Sequence, residues 1–214
     1  GQTYKPTFHL SKSMEVKKEL EDLEFQFQAI NQSAQLQVND LKSYHSNDVD
    51  LYSLTGNIST ADFADAALVE KTFDAKMDSK NLNVKWIHNE KGTLHKFVID
   101  SIERPGSSTG KLSLTCDAKG LDVTYTAKQN YEIPEKGELV LLNTRVISAD
   151  ADPYVLVNFS NPIDQNQSLE GLITIANLTE TKYIVNNNQV LIYPAKAKSG
   201  SYVLKIEGVK DTKG

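Results

Sequence analysis

Two stretches of this chain obey one pattern. Leu54-Thr55-Gly56-Asn57-Ile58-Ser59-Thr60-Ala61-Asp62-Phe63 and Leu169-Glu170-Gly171-Leu172-Ile173-Thr174-Ile175-Ala176-Asn177-Leu178 share it. Each reads Leu, any residue, Gly, any residue, Ile, Ser or Thr, any residue, Ala, Asp or Asn, apolar. A long-period echo of this kind predicts two related units stacked along one chain. Strand-like alternation flanks both copies, so the echo predicts two β-sandwiches, with Gly56 and Gly171 as equivalent backbone positions.

The length allows this. A chain of 214 residues suits two domains of about 100 residues each, and each can bury a core. Hydrophobic residues at 39% and charged residues at 24% are a globular composition, not a disordered one. A net charge of −5 with pI near 5.4 argues against a nucleic-acid surface, which needs clustered Lys and Arg. No apolar run approaches the ~18–20 residues of a membrane helix. The leading Gly1 reads as a tag remnant and is set aside. Cys116 is the one cysteine, so no disulfide closes within the chain. It reads as a small buried hydrophobe. Five Asn-x-Ser/Thr sequons, at Asn31, Asn57, Asn158, Asn166 and Asn177, fit chance in an Asn- and Ser-rich chain.

Residues 1–20 read as a flexible lead-in, with either a short helix or an irregular segment from Met14 to Leu23. Residues 21–137 form the first predicted sandwich. In Leu23-Glu24-Phe25-Gln26-Phe27-Gln28-Ala29 every second residue is apolar, which predicts a half-buried strand. Residues 34–41 alternate again, with Leu36 and Val38 inward. A short helix is expected within 60–72, capped by Thr60 or Asp62, with Phe63, Ala66, Ala67 and Glu70 at helical spacing. Residues 73–77 and 82–86 read as the two arms of a hairpin. Asn89-Glu90-Lys91-Gly92 turns into the strand 95–102, and Arg104-Pro105-Gly106 opens a loop. Residues 111–116 and 121–127 read as a second hairpin.

Glu135-Lys136-Gly137 is the expected junction, and 138–214 the second sandwich. Short strands at 146–148, 154–159, 172–175, 183–185, 190–193 and 202–206 are separated by turn clusters. The echo extends in order: 23–31 matches 154–164, 73–75 matches 183–185, 82–86 matches 190–193, and 92–102 matches 200–209.

No catalytic or cofactor-binding constellation stands out, and no site residue, metal or cofactor is assigned. Of His9, His45, His88 and His95, none sits at a metal-ligand spacing. His88 and His95 flank the Gly92 turn and could meet across a hairpin with Glu90 nearby. The alternative is that they are ordinary hairpin residues. Asp48-Val49-Asp50 and Asp150-Ala151-Asp152 resemble pieces of calcium loops but lack the ligand ladder. Trp86 is in phase with Leu82 and Val84, which predicts a core residue, not an exposed sugar platform.

A family resemblance rests on particular residues. Val155-Leu156-Val157-Asn158-Phe159-Ser160-Asn161-Pro162-Ile163-Asp164 and the close Gly208-Val209-Lys210-Asp211 resemble a bacterial Ig-like module. Leu54-x-Gly56-x-Ile58, Leu82-x-Val84-x-Trp86 and His95-x-Phe97-x-Ile99-x-x-Ile102-x-Arg104 resemble the N-terminal region of Bacteroidetes-type bacterial alpha-2-macroglobulins. The resemblance covers about residues 20–214. It implies two macroglobulin-like, immunoglobulin-like β-sandwiches with no catalytic role. They would belong to an exported protease trap, periplasmic or a cell-envelope lipoprotein. Its partners would be the parent's other domains and the target proteases, with no nucleic acid or membrane contact by this stretch. Cys116 lacks the Gln three residues on that a thioester needs. A cell-surface adhesion or carbohydrate-binding module is the alternative.

Overall fold

The computed structural model describes residues 2–45, 48–148, 152–195 and 198–214. Strands dominate them. The single α-helix described, α1 (Ala66–Lys71), is six residues long. The all-β reading therefore holds.

The chain opens with two small ribbons. β1 (Thr3–Tyr4) and β2 (Thr7–His9) pair with β4 (Phe27–Gln28) and β3 (Asp22–Glu24) respectively. Between them lie the 3-10 turns Leu10–Lys12 and Lys18–Leu20, so the segment is irregular and not a helix. The expected half-buried strand 23–29 is corrected here. Leu23, Phe25 and Phe27 are all exposed, because these ribbons pack on neither core. Alternation sorts side chains onto one face but does not supply a surface to cover it.

The first sandwich begins at β5 (Ala34–Val38) and β6 (Lys42–His45), followed by the thirteen-residue β7 (Asp48–Thr60). β8 (Phe73–Met77), β9 (Lys80–Asn81), β10 (Lys85–His88), β11 (Leu94–Glu103), β12 (Gly110–Asp117) and β13 (Thr126–Ile133) complete it. One sheet runs β10-β11-β7-β5, with β6 also on β7, and the other runs β13-β12-β8-β9. In immunoglobulin lettering this is D-E-B-A facing G-F-C-C′. Period-2 alternation explains the core. β7 turns Tyr52, Leu54 and Ile58 inward, β11 adds Phe97, Ile99 and Ile102, and β12 adds Leu112, Leu114 and Cys116, all essentially inaccessible. Trp86 is half-buried against this core, edge-on to Phe73 at 5.7 Å.

Local expectations shift in three places. α1 is capped by Asp65, whose carboxylate accepts from the Leu68 amide at 3.1 Å, not by Thr60 or Asp62. Asp62 instead accepts from its neighbour's amide, Phe63, which stays outside the helix. The arms 73–77 and 82–86 pair only at their turn end, where β8 meets β9 and the Leu82 amide donates to the Ala75 carbonyl at 2.9 Å. β8 bonds β12 while β10 bonds β11, so the chain crosses between sheets at 82–84. The partner of β12 starts at Thr126, after a 3-10 turn at Ala118–Leu121.

The second sandwich contains β14 (Leu141–Ile147), β15 (Tyr154–Phe159), β16 (Ile173–Ile175), β17 (Thr181–Asn186), β18 (Gln189–Pro194) and β19 (Leu204–Ile206). Its sheets run β14-β15-β18-β17 and β16-β19. That is A-B-E-D facing C-F, the order of the first sandwich. Val157, Phe159, Ile163, Leu169, Ile173, Val190 and Ile192 form its core.

The shared order overturns the detailed echo. Gly56 lies on β7, strand B, in extended backbone. A Cβ there would overlap the Phe97 ring and sit 2.5 Å from the Gln37 carbonyl oxygen. Gly171 precedes β16, strand C, at φ +82 in open space. The two glycines are not equivalent. One needs closeness and the other needs a left-handed turn.

Candidate functional site

Two places gather buried polar side chains. The first is the β10–β11 hairpin. Asn89 shapes its turn by accepting from the amides of Thr93 and Leu94 at 2.9 and 3.0 Å. The resulting register sets His88 opposite His95, and their Nδ1 atoms lie 2.8 Å apart. On the other side, His88 Nε2 is 3.0 Å from Glu70 Oε1 on α1. The carboxylate of this cluster is therefore Glu70, not Glu90.

Of the two facing Nδ1 atoms one donates and the other accepts, and the Glu70 carboxylate accepts from His88 Nε2–H. His95 Nε2 is buried with no partner among the described residues, and His95 is 0% exposed. Burial first, and His88 second, push the His95 pKa below the ordinary histidine value, with the Gly92 backbone opposing them. The arrangement is a buried histidine against a half-buried one, which in turn meets an exposed carboxylate. A general base has to reach its substrate's proton, and His95 has no route to solvent.

The second place is the seam between the sandwiches. Arg104 directly follows β11 and is 1% exposed. Its Nε donates to the Pro134 carbonyl at 3.1 Å. Its terminal nitrogens donate to the carbonyls of Glu135 and Glu138 and to Asn161 Oδ1. The guanidinium also sits over the Tyr52 ring, 5.5 Å from its centroid. Tyr52 donates from its hydroxyl to the Ser160 carbonyl at 2.7 Å. Burial pushes the Tyr52 pKa up to about 12, against the opposing effects of Arg104 and the Ser160 bond.

The β17–β18 turn closes the same seam. Asn188 donates to the carbonyls of Leu41 and Phe159 and to Asn158 Oδ1, while Asn187 donates to the Ser43 carbonyl at 3.1 Å. Asn158 donates to the Leu41 carbonyl as well. At the rim Arg145 pairs with Asp40. Every one of these bonds, those of Arg104 to 134, 135 and 138 aside, joins 34–52 or 104 of the first sandwich to 143–188 of the second, or braces a residue that does.

Sequence reasoning missed this seam. Arg104 was placed in a loop, yet it continues the inward phase of Phe97, Ile99 and Ile102 past the irregularity at Ser101. A polar residue in phase with core positions was the available signal. Asn186–Asn188 falls in one of the turn clusters between the short strands, and nothing in its composition distinguishes it from the others.

Other candidates resolve simply. Cys116 is buried, and burial raises its thiol pKa. His9 pairs with Asp22 on the exposed ribbons. The side chains of His45, Asp48 and Val49, and residues 149–151, lie outside the described set, so both calcium-loop fragments fall at least partly there. Among the described residues no group of three or more His, Cys, Asp or Glu is arranged to hold a metal. On the ribbons, Tyr4, Phe27, Phe25 and Phe8 stack in that order at 5.4, 6.1 and 5.7 Å between centroids.

No protein-family model, curated protein or solved structure matches the chain.

Proposed function

We propose that this chain is a non-catalytic scaffold: two immunoglobulin-like sandwiches from the N-terminal part of an exported, alpha-2-macroglobulin-like protease trap. The parent is read as a periplasmic or cell-envelope lipoprotein. Its other domains are the direct partners of this stretch, and proteases are the targets of the whole protein. The observation that carries the scaffold reading is the Arg104 seam. It commits the Arg104 guanidinium, the Tyr52 hydroxyl and the Asn188 amide to holding the seam together, which supports a structural role for these side chains. The family reading rests on the residue resemblance at 54–58, 82–104 and 155–164.

The test compares the isolated chain with the full-length parent. The isolated chain should bind no active protease. The parent should shield a large protein substrate from digestion while a small peptide is still cleaved. Tight protease binding by the isolated chain would remove the scaffold reading, and a parent that shields nothing would remove the family.

The aromatic stack Tyr4-Phe27-Phe25-Phe8, exposed at 44–53%, favours a second reading, a surface module that binds carbohydrate. Aromatic faces of this kind take sugar rings. Glycan binding that disappears in Phe25→Ser and Phe27→Ser would support it.

A further inference from the structure

The two sandwiches can be compared strand for strand. In the first, β12 (strand F) is bonded on both edges, to β8 and to β13. In the second, β19 occupies the same place, and among the described residues it pairs only with β16. One edge of β19 is open.

The direction of the backbone groups identifies that edge. The Val203 carbonyl accepts from Ala176 and the Glu207 amide donates to Leu172. Residues 203, 205 and 207 therefore face β16. By the alternation of a strand, the N–H and C=O groups of Leu204 and Ile206 face outward.

Burial points the same way. In the first sandwich the inward residues of β12, Leu112, Leu114 and Cys116, are at most 2% exposed. Strand β13 covers them, with Ala127, Tyr131 and Ile133 packed on the core. The matching residues of β19, Leu204 and Ile206, are only half-buried. Buried apolar area is what holds a small sandwich together, and this one is uncovered along one side.

We infer that the open edge of β19 seats a seventh strand. It runs antiparallel to β19 with apolar residues at every second position, and the parent polypeptide supplies it beyond Gly214. The source is argued from the first sandwich, where strand G follows strand F in the same chain. There residues 118–125 carry the chain from β12 to β13. After β19 the chain is held at Asp211, which bridges Ile163. The inference rests on the proposal that a larger parent exists, but not on that parent's activity.

Amide hydrogen exchange tests it. The 214-residue chain is compared with a chain carried about ten residues further along the parent, enough for one strand. In the shorter chain Lys205 should be protected, while Leu204 and Ile206 exchange freely. In the longer chain Leu204 and Ile206 should slow by at least tenfold, and the second sandwich should melt at a higher temperature. Free exchange at both residues in the longer chain overturns the inference. So does protection in the shorter chain that rises with concentration alongside a dimer, because a second copy would then be the occupant. Protection in the longer chain with no shielding by the full-length parent would keep the seventh strand and remove the protease-trap reading.

Discussion

The Tyr52 hydroxyl of the first sandwich donates to the Ser160 carbonyl of the second at 2.7 Å, and both residues are fully buried. Tyr52→Phe removes only the donor and leaves that carbonyl without its partner. The expected cost is about 1–3 kcal/mol, read as a lower urea midpoint. Tyr52 itself should remain protonated far into the alkaline range. Its folded pKa, near 12, lies above its unfolded value. Its contribution is therefore complete below about pH 10 and lost as pH rises toward 12. Tyrosinate absorbance during an alkaline titration should lose one late-titrating group in Tyr52→Phe, while Tyr131, also raised chiefly by burial, keeps its own.

Arg104 is the larger test of the seam. Arg104→Met keeps the apolar stem but leaves the carbonyls of Pro134, Glu135 and Glu138 and the Asn161 amide oxygen short of a donor. A loss on the order of 3 kcal/mol is expected, since hydrogen bonds to a charged group are worth more than neutral ones. Arg104→Lys should rescue little, because an ammonium lacks the planar fork that reaches several acceptors at once. Small-angle scattering should show the particle lengthening if the seam opens. An unchanged profile together with unchanged stability would show that the seam does not hold the sandwiches.

His95 gives the chain an acid-side signature. Its folded pKa is below the unfolded value of about 6.5. Unfolded chains therefore bind more protons in that window, and stability falls as pH drops below about 6.5 through the folded pKa. Urea midpoints at pH 7.5 and pH 5 should differ more in the native protein than in His95→Leu. An equal difference in both would place the acid sensitivity elsewhere.

The two glycines separate by rescue. Gly56→Ala should cost about 1–3 kcal/mol by overpacking, and shrinking the neighbour in Gly56→Ala/Phe97→Leu should recover part of it. Gly171→Ala should cost about 1–2 kcal/mol through its left-handed backbone, and no neighbouring truncation should help. Equal behaviour at both sites would restore their equivalence.

The class of the fold was readable because alternation with period two survives in β5, β7, β11 and β12. The connectivity was not. Matching the two copies by residue pattern paired 54–58 with 169–173, 73–75 with 183–185, 82–86 with 190–193, and 92–102 with 200–209. Strand order shows each match displaced by one strand: B against C, C against D, D against E, and E against F. Apolar strands of similar length look alike in sequence, and only the hydrogen-bond ladder tells neighbours apart. The His88–His95 meeting was legible, because a four-residue turn fixes a hairpin's register locally. Glu70 was not, since it arrives from a helix eighteen residues away in the chain, and no local pattern ties it to the hairpin. The seam was hidden for the same reason: Tyr52 and Ser160 are far apart in sequence, and no local pattern links them.

The partners of Arg104 carry one further consequence. Three of its four described acceptors are main-chain carbonyls, which every residue type possesses. Glu135 and Glu138 could therefore change identity over evolution without weakening the clasp, so long as the path of the backbone is kept. Asn161 is the one acceptor that depends on its side chain. Among relatives, the hinge should drift freely while the arginine and its asparagine change together or not at all.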